Sequence, residues 1–239
     1  MDAIIPPKPT LKENTVPAWR VGLKAAKANL LPGLVVQGLM LTLILSYYSS
    51  PVVQIGLDRL GQVKSTWGLA FVLLASALSG AIFPEILKIL LLQKARVTQE
   101  NTKNIVFLVP YWMLLGACVD LFYQGQEMLF GNHTDWLTVA TKVAVDPFLY
   151  TPFFACPLAV ILVELRRLKW NLNTIGGMLN RNFYQFRIFP LVIAAWGVWI
   201  PLVSVVYAMP TALQFPVFSL ILSFWSLMQS MIASGPPEP

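Results

Sequence analysis

The stretch that decides the fold is residues 188–237, IFPLVIAAWGVWIPLVSVVYAMPTALQFPVFSLILSFWSLMQSMIASGPP, which contains no Asp, Glu, Lys, Arg or His. A helix that crosses a bilayer needs about 20 apolar residues, so the stretch is long enough for two. Met209-Pro210-Thr211 lies near its middle and interrupts it, because proline lacks the backbone N–H that an interior helix position donates. The sequence therefore predicts two membrane-spanning helices joined by a tight turn.

The composition of the rest of the chain is also typical of a membrane protein. The 239 residues are 56% hydrophobic and only 12% charged, with a mean hydropathy of +0.65, whereas soluble domains carry about 25% charged residues. A chain of this length forms one helical bundle, with no room for a sizeable soluble domain. Cys118 and Cys156 both fall in apolar segments and are expected to be buried free thiols.

Six segments are long and apolar enough to span a membrane, which predicts an all-α, polytopic integral membrane bundle over residues 31–232. The segments are residues 31–48, 67–92, 105–123, 143–163, 189–208 and 212–232. Residues 1–30 are expected to form a cytoplasmic tail with a short amphipathic helix over 17–29, because they lack the apolar core and cleavage site of a signal peptide. Residues 233–239 are expected to be a disordered tail.

Lys and Arg are distributed unevenly among the segments that connect these predicted spans. With the N-terminus inside, thirteen lie on the cytoplasmic side and three outside, which fits six spans with both termini in the cytoplasm. A five-span alternative fits the same counts, so the last hairpin rests on hydropathy alone. The bias also explains the net charge of +6, and nucleic acid is not an expected partner. The inner residues are Lys8, Lys12, Arg20, Lys24, Lys27, Lys94, Arg96, Lys103, Arg166, Arg167, Lys169, Arg181 and Arg187, and the outer ones are Arg59, Lys64 and Lys142.

The segment KVAVDPFLYTPFFACP, residues 142–157, contains three prolines and is expected to be kinked or locally unwound. Asp146 followed by Pro147 has the pattern of an N-cap with proline at the first helical position. Lys142 lies four residues before Asp146, a spacing that permits an ion pair on one helix face. An acid within a span is also typical of an ion path. Two interpretations of Asp146 therefore remain. One is a structural role, as a helix cap and as the ion-pair partner of Lys142; the other is a direct functional role.

Glu85 and Lys88 lie three residues apart inside the second predicted span. They can pair with each other, which would reduce the cost of charge in the bilayer. They are interpreted either as a structural pair or as part of the lining of a polar path. Gln37 and Gln214 are further candidates for facing the same interior.

Several other residues have mainly structural interpretations. Ser76 and Gly80 have the small-residue spacing that predicts close helix packing, and Trp196 and Trp199 are expected to pack with other aromatic side chains. Asp120 is expected to be interfacial and solvated. Because His133 is the only histidine and no cysteine cluster is present, we predict no metal site, no cofactor and no catalytic centre, and the protein is not expected to be an enzyme.

Two sets of residues match sequence signatures of a known family. The first signature, Lys, three residues, Asp-Gln, four residues, Pro, is met by Lys142, Asp146 and Pro152, although Pro147 replaces the Gln. The second, a Trp-Pro element, a Val-Pro turn and a late Trp, is met in part, with an extra residue inside the Trp-Pro and without the family's Asn-Phe element and Arg. Its counterparts here are Trp199, Pro201, Pro210 and Trp225. Over residues 142–229 the chain resembles the peroxisomal twenty-two-kilodalton membrane protein and Mpv-seventeen family.

Members of that family are small multi-helix proteins of organelle inner or single membranes, implicated in pore or channel activity and membrane homeostasis. Together with the polar residues inside the predicted spans, the resemblance favours a weakly selective pore or small-solute channel, with Asp146, Lys142, Glu85 and Lys88 as candidate lining or gating residues. The alternatives are a structural membrane protein without transport and, third, a membrane-embedded enzyme. The expected partners are the lipid bilayer and small solutes or ions, and a homo-oligomer is left open. A bacterial inner membrane is favoured over a mitochondrial inner or peroxisomal membrane.

Overall fold

The computed structural model describes residues 20, 30–91, 93–133 and 135–233. Within these residues every regular element is a helix, so the fold is all-α. The predicted tails, including the amphipathic helix at 17–29, lie outside the described residues except for Arg20, Leu30 and Ala233. Cys156 is buried, Cys118 is partly buried, and neither forms a disulfide with the other.

The described residues form eight consecutive helices. Five are regular: α1 (Leu30–Ser49), α2 (Pro51–Trp67), α4 (Gln99–Phe130), α6 (Leu172–Met178) and α8 (Thr211–Ala233). The other three each contain a π-helical segment, in which backbone hydrogen bonds join residues five apart. These are α3 (Leu69–Ala77, π-helix Leu78–Ile82, Phe83–Leu91), α5 (Trp136–Val145, π-helix Asp146–Ala155, Cys156–Arg167) and α7 (Arg181–Phe183, π-helix Tyr184–Ile188, Phe189–Ala208).

Four helices are long and apolar enough to cross a membrane, namely Leu69–Leu90, Gln99–Phe130, Trp136–Arg167 and Arg181–Ala208. Helices α1 and α2 pass the same test only together, and they meet at a bend of 103°, so they add at most one span. The described apolar part of α8, Leu213–Ser223, is shorter than a span. The predicted number of about six spans is therefore not confirmed, whereas an all-α fold with four or five such helices is.

Helix α2 lies in a segment that was predicted to be a loop. Pro51 occupies its first turn, where the missing N–H has no cost, and Ser50 precedes it in an extended conformation. The helix ends at Gly68, whose φ of +52° is accessible mainly to glycine. Hydropathy does not reveal α2 because it carries Asp58, Arg59 and other polar residues.

Side-chain capping, rather than hydropathy, determines where α4 and α5 begin. Thr98 and Asn101 form a reciprocal capping box at the start of α4, with Thr98 N donating to Asn101 Oδ1 at 2.7 Å. Asp135 caps α5 by accepting from the backbone N–H of Leu137 and Thr138, both at 3.1 Å. Hydrogen bonds from Thr138 hold the pKa of the Asp135 carboxyl below its usual value. Both helices consequently extend beyond the predicted spans 105–123 and 143–163.

The long helices alternate in direction, so their connections gather at two ends of the bundle. We call one the Gly131 end; it holds the α1–α2 bend, residues 131–133 and 135, and the Met209-Pro210 turn. An ion pair between Lys64 and Asp120 (2.8 Å) lies toward this end. We call the other the Lys169 end; it holds residues 93–98 and 168–171.

Glycine residues bring α3 and α4 into close contact. A Cβ built on Gly116 would overlap the Ser76 hydroxyl and lie 2.6 Å from Ser76 Cβ, and one built on Gly80 would lie 2.7 Å from Cδ1 of Trp112. Real Cβ atoms do not approach that closely, so both sites require glycine. The predicted close packing at Ser76 and Gly80 is confirmed.

Large apolar side chains are exposed along the sides of the long helices. A soluble monomer rarely exposes so many, whereas lipid solvates them without penalty. The exposure is consistent with an integral membrane protein. Examples are Val106 (70%), Leu121 (65%), Leu149 (57%) and Phe153 (71%).

Candidate functional site: a buried polar row beside a π-helix

The prolines of α5 are spaced for a π-helix. Pro147, Pro152 and Pro157 recur every five residues, which is also the spacing of π-helical hydrogen bonds. A proline at position i leaves the carbonyl at i−5 without its donor, so Pro152 frees the carbonyl of Pro147 and Pro157 frees that of Pro152. The expected distortion is therefore present as a wide π-helical segment, and the chain is not unwound.

Side chains from α7 satisfy both of these carbonyls. The indole Nε1 of Trp196 donates to Pro147 O at 2.7 Å, and the Tyr184 hydroxyl donates to Pro152 O at 3.1 Å. A carbonyl left without a donor in an apolar environment is costly. The two hydrogen bonds therefore hold α7 against the π-helical face of α5 and stabilise the segment that carries Asp146.

Replacing Trp196 by phenylalanine should lower the unfolding free energy by about 1–3 kcal/mol, because the Pro147 carbonyl loses its donor. The Pro152→Ala variant restores an N–H five residues after Pro147, so Trp196→Phe should cost less in that background. Unfolding of the wild type, both single variants and the double variant in detergent micelles measures this coupling. An equal cost of Trp196→Phe in both backgrounds would show that the hydrogen bond does not compensate for the proline.

A row of buried polar side chains crosses from α4 through α7 to this π-helix. Gln126 Nε2 donates to the Tyr207 hydroxyl at 3.0 Å, and that hydroxyl donates to Asp146 Oδ2 at 2.7 Å. Thr151 donates to Asp146 Oδ1 at 3.3 Å. We call these four residues the Asp146 row; Gln126, Tyr207 and Asp146 are 2%, 1% and 8% exposed. The row joins three helices in the interior of the bundle.

The structure does not support a capping role for Asp146. Its backbone is helical (φ −62°, ψ −64°) and continues the helix that begins at Trp136, so the N-cap is Asp135 instead. The Asp-Pro pattern failed as a signal because a π-helix accommodates Pro147 without breaking the span. Asp146 therefore lies inside the helix, where its carboxylate contacts α7.

Lys142 is 1% exposed, one turn before Asp146. Among the described residues, no carboxylate lies within 4.0 Å of its Nζ, so the predicted ion pair with Asp146 is wrong. The pair does not form because the Asp146 carboxylate is directed toward Tyr207 and Thr151. The acid whose charge acts on Lys142 is the partly buried Glu127 of α4, without a direct contact.

Glu85 and Lys88 form a second polar cluster, on the part of α3 near the Lys169 end. Lys88 Nζ lies 3.5 Å from Glu85 Oε1, so the predicted pair is present, and Asn101 Nδ2 donates to the same oxygen at 2.6 Å. Within the part of the chain that the structure describes, no hydrogen bond or ion pair joins this cluster to the Asp146 row. The structure therefore does not bring the four candidate lining residues together.

Other polar candidates are engaged elsewhere. Gln214 is buried, but its amide donates to Met209 O at 3.2 Å and fastens the α7–α8 turn. Gln37 is partly buried on α1. Asp120 is 4% exposed and bound to Lys64, so the prediction that it is solvated is wrong; the reason is that α2 places the Lys64 ammonium against this carboxylate.

The remaining family-motif residues have structural environments. The Trp199 ring packs on that of Phe218, with centroids 5.6 Å apart, as expected for aromatic packing. Pro201 is exposed within α7, and Pro210 is exposed in the turn between α7 and α8, where a turn was predicted. Trp225 belongs to α8, but its side chain lies outside what the structure describes.

Sequence reasoning missed Tyr207, Gln126 and Thr151. Tyr207 lies 61 residues from Asp146 along the chain, so spacing could not connect them. One usable signal was present, the five-residue repeat of prolines, which indicates a π-helix continuing through the span. Comparison with protein-family models, with curated proteins and with solved structures gives no match to this chain.

Proposed function

We propose that this is a multi-pass integral membrane protein that provides a weakly selective path for small solutes or ions. The Asp146 row is its proposed constriction. The observation that carries the proposal is a carboxylate, a phenol and an amide buried together inside helices with apolar, exposed outer faces. Polar groups in membrane helices are costly and commonly mark ion or substrate paths, and π-helical segments are frequent at functional sites.

The Gly131 end supplies a plausible entrance to such a path. A cleft of about 300 Å³ lies there between α2 and the α7–α8 turn. The cleft is lined by residues of α2, by the turn residue Pro210 and by the start of α8. The lining residues are Asp58, Gly61, Gln62, Ser65, Thr66, Pro210 and Leu213. Pro210 follows Tyr207 by three residues, which supports a connection between the cleft and the Asp146 row.

For the setting of this function we propose a bacterial inner membrane with both termini in the cytoplasm. The support is the excess of Lys and Arg in alternate connections. The residues that match signatures of the Mpv-seventeen family also support the pore proposal. No residue is assigned a catalytic role in this proposal.

A structural membrane protein without transport is the second candidate, and a specific observation favours it. Several buried charges already have partners: Glu85 binds Asn101 and Lys88, Asp120 binds Lys64, and Glu164 binds Arg187. Buried groups that satisfy each other can fasten helices without conducting anything.

Flux through liposomes should distinguish the two candidates. In the pore proposal, wild-type protein releases small ions and dyes, and Asp146→Asn or Tyr207→Phe changes the rate or the selectivity by about 10- to 150-fold, as expected when a hydrogen bond to a charged group of about 1.5–3 kcal/mol is lost. Glu100→Gln is the matched control, because its carboxylate is 64% exposed near the Lys169 end. It should conduct like the wild type.

Stability measurements on the same variants complete the test. Tyr207→Phe preserves the ring but leaves both Gln126 and Asp146 without the shared hydroxyl, so it should also destabilise the protein in detergent. Vesicles that stay tight over a range of potentials and pH, with variants that differ only in stability, would eliminate the pore and leave the structural role.

A further inference from the structure

Lys142 is a buried cation without a direct anionic partner. Ammonium groups are almost never fully buried unless they are paired, because removing one from water costs several kcal/mol. Lys142 is 1% exposed, and within the described residues its Nζ has neither an ion pair nor a hydrogen bond. The described residues therefore leave its three donor hydrogens unused.

The acids around Lys142 do not neutralise it by contact. Asp146, one turn away, accepts hydrogen bonds from two hydroxyl groups. Glu127 acts on Lys142 through its charge but lies beyond ion-pair distance. Neither acid forms an ion pair with Lys142 Nζ, so the ammonium has no direct partner among the described residues.

Gln126 provides a second, independent group that lacks a hydrogen-bond partner. Its side chain is 2% exposed, and its amide Nε2 is used by Tyr207, but its carbonyl Oε1 is buried and accepts no hydrogen bond from the described residues. Such an orphan acceptor in a native core calls for a missing donor. Gln126 belongs to the Asp146 row, and Lys142 lies one helical turn before Asp146, so both groups that lack partners lie at this row.

From these two positions we infer that the region around Lys142 and Gln126 binds a small oxyanion that also carries a hydroxyl, such as hydrogen phosphate or a hydroxycarboxylate. The ammonium of Lys142 binds the charged oxygens, and Oε1 of Gln126 accepts from the hydroxyl. Lys142 lies six residues into α5, roughly 9 Å from the start of the helix at the Gly131 end, so the site can be reached from that end. This inference rests on the proposed function, since it names the class of solute that the path selects.

Selectivity and binding test the inference separately, with inorganic phosphate as the probe. Reversal potentials across bilayers with a potassium phosphate gradient should show phosphate permeating better than potassium. Lys142→Met, which keeps the length of the side chain and removes its charge, should reduce the relative phosphate permeability about tenfold. Lys103→Met makes the same change at an exposed site on α4 and should leave it unchanged.

Thermal unfolding in detergent gives the binding measurement. Phosphate should raise the Tm of the wild type and of Lys103→Met by mass action, but not that of Lys142→Met. In phosphate-free buffer Lys142→Met should itself be at least as stable as the wild type, because an unpaired buried charge is gone. Lys142→Gln serves as the neutral variant if methionine does not fold, and Lys142→Arg should retain binding.

The outcomes separate the two claims. If Lys142→Met has the same flux selectivity as the wild type and phosphate does not change the Tm, the oxyanion site is overturned and the path remains. Tight vesicles, with a phosphate-dependent Tm that Lys142→Met loses and Lys103→Met keeps, overturn the path and support the site. Cation selectivity in the wild type, with no effect of phosphate on Tm, also overturns the inference.

Discussion

Replacing Gly116 by alanine should lower the unfolding free energy by about 2–3 kcal/mol, as overpacking of a tight core does. The new methyl group would overlap the Ser76 hydroxyl and lie 2.6 Å from Ser76 Cβ. Helices α3 and α4 must separate to admit it, and the contact of Gly80 with Trp112 on the same pair of helices would be disturbed as well. Unfolding in detergent micelles, followed by loss of helical signal, measures the change.

Two comparisons make that result specific. Gly125→Ala introduces the same methyl group on the same helix where no atom lies within 4 Å, so it should stabilise the protein by up to about 1 kcal/mol. Ser76→Gly removes both atoms that obstruct the methyl group, so Gly116→Ala should cost much less in that background. A Gly116→Ala variant as stable as the wild type would mean that the two helices do not cross at this point.

The parts of the fold that follow local rules were predictable. The turn at Met209-Pro210 was expected because proline interrupts a long uncharged stretch near its middle, and α7 indeed ends at Ala208 with α8 beginning at Thr211. The close approach at Ser76 and Gly80 was expected from the spacing of small residues. In each case the signal and the structure lie within a few residues of each other.

Helix α2 shows where hydropathy is insufficient. It carries polar and charged residues, so an average over the segment resembles a loop, yet Pro51 and Gly68 mark its two ends. Its position also explains why Asp120 is paired and not solvated, since the partner of Asp120 is Lys64 of α2. An error in one element therefore produced a second error at a residue more than fifty positions away.

The candidate site was predictable only as a list of residues. Asp146, Lys142 and the prolines were identified, but their contacts depend on which face of α5 meets α7. The backbone from Lys142 to Asp146 is α-helical, with Asp146 N donating to Lys142 O, so the i,i+4 spacing holds. The pair is nevertheless absent because the Asp146 carboxylate accepts hydrogen bonds from Tyr207 and Thr151 instead. Tyr207, which holds the row together, carries no motif of its own.

The largest loss of stability is expected from Arg187→Met, at the opposite end of the bundle from the Asp146 row. Glu164 is 1% exposed and binds the guanidinium groups of Arg187 and, at 2.5 Å, Arg167. Arg187 is 13% exposed and reaches across from α7, whereas Arg167 is 47% exposed and belongs to the same helix as Glu164. Removing the buried partner of a buried charge typically costs about 3–5 kcal/mol.

Arg167→Met is the matched control, and it should cost no more than about 1 kcal/mol because exposed pairs contribute little. The charge of Glu164 can be removed independently: in the Arg187→Met background, Glu164→Gln should recover part of the loss, since an amide tolerates burial without a cation. Denaturation of the four proteins in the same detergent measures all three differences. Similar losses from Arg187→Met and Arg167→Met, with no recovery from Glu164→Gln, would show that the interaction between α5 and α7 at this end depends on apolar packing alone. The contacts of Val160, Ile188 and Val192 would then be the ones to vary.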